Sequence, residues 1–220
     1  MTSSSAPTVL LDLDGTLVDP AAGILSSFRH ALRAMDHTPD PADDLLWVIG
    51  PALRESFGRV LGAKDQVEAA VAAYREVYGA TGLFDAEVYA GIPQALADLR
   101  AKGSRLLVCT AKVHVFARRV VDHFGLAPFM SHVYGPELDG RLEDKGNLIA
   151  HILATERLSP ESVVMVGDRK HDALAAGRHG IPTIGVLWGY GGAAELTAAG
   201  AAPLISTPAE LPDACFAVRG

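Results

Sequence analysis

Cysteine is scarce. The 220-residue chain has two, Cys109 and Cys215. Their separation fits neither a metal-ligand pair nor a redox pair, so no disulfide framework is implied and a reducing cytoplasm is the expected compartment. Long apolar runs are missing too. The opening, Met1 to Thr8, has no basic region and no apolar core, so it does not read as a signal peptide. The longest late stretch free of charged residues, His179 to Ala194, is interrupted by glycines and a proline and cannot read as a membrane span. Positive charge is in deficit: 19 Lys and Arg face 26 Asp and Glu, a net charge of −7. This excludes a general nucleic-acid or polyanion binder. It does not exclude a small anionic substrate, because one bound metal ion inverts the field locally. With 49% hydrophobic and 20% charged residues, the chain is not a disordered polyelectrolyte. At ~150 residues per domain, its length suits one domain carrying a smaller insertion.

What is present is an interrupted alternation. Thr8 to Leu13 is a short apolar run that predicts a buried parallel strand. Ile24, Leu25, Phe28, Ala31, Leu32 and Met35 then recur at helical spacing, predicting a helix over Ala21 to Met35. Pro39 and Pro41 break the chain. Leu53, Phe57, Val60 and Leu61 mark a second helix, and Val67, Ala70, Val71, Tyr74, Val77 and Tyr78 a third. No strand is expected between Ala21 and Asp85. Strands then return at Ser104 to Cys109, His132 to Tyr134, Val163 to Val166 and Thr183 to Leu187. They alternate with helices at Gln94 to Arg100, Val113 to Phe124, Lys145 to Arg157, Asp172 to Arg178 and Ala193 to Ala199. The pattern predicts an α/β fold: a doubly wound, Rossmann-like, mostly parallel sheet with an all-helical insertion after its first strand. The expected division is a core of residues 1–19 and 87–220 and a helical unit of residues 20–86.

In such sheets ligands bind beyond the carboxyl ends of the strands. Asp12, Asp14, Gly15 and Thr16 follow the first predicted strand, and Thr110, Ala111 and Lys112 the second. Gly167, Asp168, Arg169 and Asp172 follow the strand at Val163, and Lys145 opens a helix. Asp12 and Asp14 project to one side of an extended segment, where their charges repel. A hard cation with oxygen ligands relieves that repulsion, and Mg²⁺ suits one or two carboxylates plus phosphate oxygens and water. Taken alone, Asp-x-Asp-Gly also reads as a loop cap and turn.

The segment Val9-Leu-Leu-Asp-Leu-Asp-Gly-Thr-Leu-Val18 resembles the first motif of the haloacid dehalogenase (HAD) superfamily. Leu107-Val-Cys-Thr-Ala-Lys112 resembles its second, Lys145 its third, and Val164-Met-Val-Gly-Asp-Arg-Lys-His-Asp172 its fourth, in matching order and spacing. The helical insertion falls where this superfamily carries a cap. The stretch Gly167 to Leu196 is most similar to phosphoglycolate-phosphatase-like and nucleotidase-like members. The resemblance implies a Mg²⁺-dependent phosphomonoester hydrolase working through an aspartyl phosphate. Asp12 is the implied nucleophile and Asp14 the acid and base. Thr110, with Ala111 and Lys112 nearby, is implied to bind the phosphoryl group, and Lys145 to neutralise charge. Asp12, Asp168 and the Asp14 carbonyl hold the metal, with Asp172 in support. Gly146-Asn147 departs from the Lys-Pro that many members have after the lysine. Gly50-Pro-Ala-Leu-Arg-Glu-Ser-Phe57 resembles the cap loop that faces the site, and Arg54 is the expected reader of a substrate carboxylate.

Rival readings remain open. Gly189-Tyr-Gly-Gly-Ala-Ala194 fits a dinucleotide fingerprint, but 26 residues after it are too few for a nucleotide-binding half, and a glycine turn is the better account. Dehalogenases lack the acid at Asp14. The helical unit's one lysine, Lys64, stands in a Gly-Ala-Lys-Asp loop, unlike a Schiff-base residue. A sugar-phosphate mutase, a 5'-nucleotidase and a non-catalytic phosphate binder are the alternatives. The expected partner is a small phosphorylated substrate, with no nucleic acid and no membrane. Monomer and dimer are equally compatible with the sequence.

Overall fold

A strand buried on both faces must be apolar on both, and Thr8–Leu11 (β1) is fully buried along its length. The computed structural model describes residues 6–40 and 43–218. The expectations for Met1 to Ser5 and for Pro41 lie outside the described residues. After β1 come β2 (Val18–Asp19), then α1 (Ala21–Ala34), α2 (Leu53–Leu61) and α3 (Lys64–Ala80). The chain returns through β3 (Glu87–Val88), α4 (Ile92–Ala101), β4 (Arg105–Cys109), α5 (His114–His123) and β5 (His132–Tyr134). It continues with α6 (Lys145–Glu156), β6 (Val163–Gly167), α7 (Lys170–Gly177), β7 (Thr183–Val186), α8 (Ala193–Ala198), β8 (Leu204–Ile205) and α9 (Leu211–Ala217). No described helix is long and apolar enough to cross a membrane.

The main sheet has the order β5-β4-β1-β6-β7-β8, with every pairing parallel. The chain winds outward from β1 through β4 to β5, then crosses back to β6 on the other side of β1. The switch point, where ligand crevices form, is therefore at the carboxyl end of β1. Side chains alternate across the sheet. Val9, Leu11, Leu106, Val108, Val164 and Val166 join one core cluster, while Leu10, Leu107, Cys109, Val163 and Met165 join another with the α6 residues Leu148, Ile149 and Ile152.

The first cluster extends without a break into α1, α2 and α3. Phe28 of α1 stacks on Phe57 of α2, with ring centroids 4.4 Å apart, and Phe57 meets Tyr74 of α3 edge-on at 6.3 Å. The stem of this helical unit is the two-stranded pairing of β2 with β3, Val18 opposite Val88 and Asp19 opposite Glu87.

Most elements match the periodicity within a residue or two. The first strand stops at Leu11 rather than Leu13: Asp12 keeps one ladder bond, to the Val166 carbonyl, and the chain then turns away at Gly15. The helix expected from Asp172 begins at Lys170, since Asp172 sits in its first turn and accepts the Arg169 N–H. The stem strands, β8 and α9 have no counterpart in the sequence reading. Two-residue strands carry no readable alternation.

One contact fixes the angle of α1. A Cβ on buried Gly23 would overlap the Gly82 carbonyl, which belongs to the turn after α3. We expect Gly23→Ala to lower stability by about 1–3 kcal/mol, the usual cost of overpacking, despite alanine's better helix propensity. A lower urea midpoint at constant m-value is the expected result. An unchanged midpoint would show that α1 is free to shift.

Candidate active site

Three strand ends deliver the site. Asp12 follows β1, Thr110 follows β4 and Asp168 follows β6. Pairing is in register, Leu11 lying opposite both Val108 and Val166, so the three residues emerge side by side. The Asp12 N–H extends the ladder by donating to the Val166 carbonyl (3.0 Å). Gly15, at φ +83°, turns the chain back, and its N–H donates to the Val18 carbonyl (2.8 Å).

Carboxylate oxygens of Asp12, Asp168 and Asp172 lie within 4.8 Å of one another, all buried. Thr16 donates its hydroxyl to Asp168 Oδ1 (3.2 Å), and the Tyr190 N–H donates to Oδ2 (2.8 Å). Burial, reinforced by the charges of Asp172 and Asp12, still pushes the Asp168 carboxyl up to about 8. Asp172 is also raised: burial outweighs the attraction of Lys145, and Asp12 adds repulsion. The Lys145 ammonium contacts Asp172 and stands 3.1 Å from Asp12 Oδ1. Burial works against its charge, but Asp12 and Asp172 outweigh that and hold its pKa well above the usual lysine value. Asp12 Oδ1 is buried without a hydrogen bond; it touches the ammonium outside hydrogen-bonding alignment.

Asp14 stands apart from this trio. Its Oδ1 pairs with the Lys112 ammonium (2.9 Å), and the Lys112 side chain is only 5% exposed. Lys112 also donates to the Tyr78 hydroxyl, so one buried cation joins Asp14 to α3. Burial raises the Asp14 carboxyl, and Lys112 only partly opposes this. The buried Thr110 hydroxyl accepts the Lys112 N–H (3.2 Å), holding the turn after β4. It does not cap α5, whose N-cap position is Val113.

Four carboxylates and two ammonium groups therefore share the crevice. With all of them ionised, two negative charges are left over. An oxygen-only trio of carboxylates with that surplus fits a divalent hard cation, and no nitrogen or sulfur ligand favours zinc over it.

Asp12, Asp14, Thr110, Ala111 and Lys112 form one wall of a cleft of about 670 Å³, its open mouth included. Phe28, Val48, Leu53, Tyr74, Arg75 and Tyr78 of the helical unit form the other, with Phe116 of α5. Lys145 opens into a neighbouring cleft that shares Ala111, Gly50 and Pro51.

The expectation for Arg54 needs correction. Its guanidinium is taken by two acids: Nε and Nη2 donate to Glu68 (2.7 and 3.1 Å), and Nη1 to Glu143 (3.1 Å). It lies outside the cleft lining and ties α2 to α3 and to the loop before α6.

Other residues have roles at the site that the sequence reading did not assign. Gly189 and Gly191, read as a glycine turn, pack directly on Asp168; a Cβ at either would overlap its side chain or backbone. Between them, Tyr190 holds Asp168, and Trp188 donates its indole N–H to the Thr16 carbonyl (3.0 Å). Arg169 reaches from the site to the Ile49 carbonyl of the helical unit and to Glu195 (2.9 Å). Gly146, the departure after Lys145, leaves room for the Arg178 guanidinium, which pairs with Asp144 (2.7 Å). The signal available was Gly-x-Gly two residues after a strand.

Residues 9–186 match the family model described as haloacid dehalogenase-like hydrolase, and the chain belongs to that family. Tyrosine-protein kinase PtkA of Mycobacterium tuberculosis (H37Rv) is 45% identical over 188 residues, covering 85% of this chain. The chain spans only 64% of that protein's length. The 5'-nucleotidase of Pseudomonas aeruginosa is 42% identical over 194 residues, with 87% of each chain covered. A phosphoglycolate phosphatase of Caulobacter vibrioides is 31% identical over 189 residues, covering 83% of this chain and 80% of its own. Among solved structures, a predicted phosphatase from Clostridium acetobutylicum superposes with a TM-score of 0.93 at 33% identity, covering 97% of this chain and all of its own (100%).

The raised carboxyls predict an unusual pH response. Asp168 has a folded pKa of about 8, far above its unfolded value of about 3.9. Between those values the folded state binds more protons than the unfolded one, so stability falls as pH rises. In chelator, the urea midpoint should drop between about pH 5 and 8, and Asp168→Asn should flatten that drop. Added Mg²⁺ should restore stability at the high-pH end. A midpoint that rises with pH in chelator would contradict the charge surplus.

Proposed function

We propose that this chain is a phosphomonoester hydrolase in which Asp12 takes the phosphoryl group from a small substrate and water removes it. The observation that carries the reading is the buried Asp12 carboxylate, flanked by Lys145 and aligned with Asp168 and Asp172, beside the separately paired Asp14. Asp12, Asp168 and Asp172, with the Asp14 carbonyl, are the residues that would hold Mg²⁺. When bound, the ion supplies neutralisation of the phosphoryl oxygens.

The chain's own groups account for the rest. An Asp12 oxygen attacks phosphorus, and the bond from phosphorus to the ester oxygen breaks. Asp14, whose carboxyl burial raises, is the group that gives a proton to that oxygen. Water then attacks the aspartyl phosphate, Asp14 takes a proton from it, and Asp12 leaves as a carboxylate. Lys145 and the turn at Thr110 and Ala111 offset charge spread over the phosphoryl oxygens. Splitting one displacement into two is what a carboxylate nucleophile contributes. Residues 20–86 act as a cap that shields the phosphoryl group from bulk water. A soluble, cytoplasmic setting is part of the same reading.

The cleft bears on the substrate. Phosphoglycolate is the first choice on resemblance, but Arg54 is occupied and the far wall carries Tyr74, Tyr78 and Phe116. We therefore place a phosphate ester with a planar or apolar body, such as a nucleoside monophosphate, ahead of phosphoglycolate. A second reading is favoured by the 45% identical relative named a tyrosine-protein kinase: transfer from Asp12 to an acceptor hydroxyl instead of water. Release of inorganic phosphate without acceptor labelling supports the hydrolase; labelling of the acceptor supports the transferase.

The test is mutational. Asp12→Asn should abolish turnover of phenyl phosphate in Mg²⁺, because an amide cannot attack phosphorus, while the fold survives the isosteric change. Asp14→Asn should cost roughly 10²–10⁴-fold in kcat with an alkyl phosphate, and less with p-nitrophenyl phosphate, whose leaving group needs little protonation. Wild-type-like kcat in Asp12→Asn would sink the mechanism.

A further inference from the structure

Arg75 lies on α3 between Tyr74 and Tyr78, and all three face the cleft that holds Asp12 and Asp14. Its Nη1 donates to the Leu138 carbonyl (3.0 Å), which anchors the guanidinium on the core side. Its Nε is buried and has no hydrogen-bond partner. Burial and the neighbouring Arg54 charge lower its pKa, the more distant Glu143 and Glu68 partly oppose this, and the guanidinium stays charged. The other cations near the cleft are engaged: Arg54 by Glu68 and Glu143, Lys112 by Asp14 and Tyr78, Lys145 by Asp12 and Asp172. Among the described residues, no acid lies within ion-pair distance of Arg75.

Nε itself is closed off from the cleft, but the guanidinium as a whole lines it as a permanent cation, and a cation so placed is best met by an acceptor that enters the cleft. We propose that Arg75 is the specificity-determining residue of the cap: its guanidinium, lining the cleft, reads an oxygen acceptor, best a carboxylate, at the non-reacting end of the substrate. The substrate class that follows is a phosphate ester whose planar or apolar body lies against Tyr74, Tyr78 and Phe116 and ends in such an acceptor. A neutral carbonyl, as on a nucleobase, is the weaker case of the same chemistry. The inference rests on the phosphate-ester reading above, in that the other end of the ligand is taken to sit at Asp12.

The test uses binding, so it does not depend on turnover. Calorimetry with the full chain and Mg²⁺ compares three non-hydrolysable ligands: benzyl phosphonate, 4-carbamoylbenzyl phosphonate and 4-carboxybenzyl phosphonate. Wild type should bind the carboxylate ligand about 10–100-fold more tightly than benzyl phosphonate, and the amide ligand about 3–10-fold more tightly. Arg75→Ala should erase both preferences while its Kd for benzyl phosphonate moves less than threefold. Arg75→Lys, which keeps the charge but not the planar guanidinium fork, should retain only part of the carboxylate preference. A uniform loss for all three ligands would make Arg75 a structural anchor through Leu138 and overturn the proposal, as would unchanged preferences. Hydrolysis of phenyl phosphate by wild type, measured in parallel, tests the phosphatase reading alone. Absent turnover with an intact binding pattern refutes that reading and leaves Arg75 standing; turnover without the pattern does the reverse.

Discussion

Four carboxylates are buried in one crevice and only two ammonium groups meet them. An ion taken out of water costs several kcal/mol unless it is paired and hydrogen-bonded. The surrounding structure supplies what it can. Thr16 and the Tyr190 N–H hold Asp168, Lys145 and the Arg169 N–H hold Asp172, and Lys112 holds Asp14. The backbone must come close for this, so glycine occupies positions 15, 189 and 191, where a Cβ would overlap Asp168. What remains is a negative surplus that protein groups do not cancel. That surplus, counted with all four acids ionised, is what gives a divalent cation a reason to bind.

The cap meets the core through this same site. A chain of aromatic contacts runs from Phe28 through Phe57, Tyr74 and Tyr78 to Phe116 of α5. The Tyr78 hydroxyl meets the lysine that pairs with Asp14, and Arg169, one residue after Asp168, reaches the Ile49 carbonyl. The lines of packing between the helical unit and the core therefore end on residues adjoining Asp14 and Asp168. A shift of α3 moves Lys112, and through it Asp14.

The sheet and the helical insertion were legible because parallel strands and amphipathic helices leave periodic patterns. Asp12, Thr110 and Asp168 were legible because each follows a strand end, and the HAD resemblance orders those ends. Side-chain partners were not legible. Arg54 and Arg75 are both cap arginines beside a buried stripe; only the placement of Glu68 and Glu143 decides that the first is neutralised and the second faces the cleft. Gly189 and Gly191 read as a turn because a sequence does not show what a missing Cβ makes room for. Those misses concern contacts between residues far apart in the chain, about which local periodicity says nothing.

On the proposed chemistry, Asp12 holds the phosphoryl group midway through the reaction, and the group that reaches Asp14 next decides the product. Water is small enough to enter a closed cleft. A larger acceptor hydroxyl needs the cap to open and close again. Polar links across that boundary join Arg54 to Glu143, Arg75 to the Leu138 carbonyl, Arg169 to the Ile49 carbonyl, Lys112 to the Tyr78 hydroxyl and Arg119 to the Gly79 carbonyl. The first joins two partly exposed side chains, and such pairs are typically worth about 0–1 kcal/mol and are screened by salt. Parting the helical unit from the core would also break the ring contacts of Phe116 with Tyr78 and of His123 with Phe84, and the links made by the buried Lys112 and Arg169. The carboxylate machinery is indifferent to the acceptor. On that reading the choice between water and a hydroxyl falls to the contacts between the helical unit and the core, which Lys112 and Arg169 tie to Asp14 and Asp172.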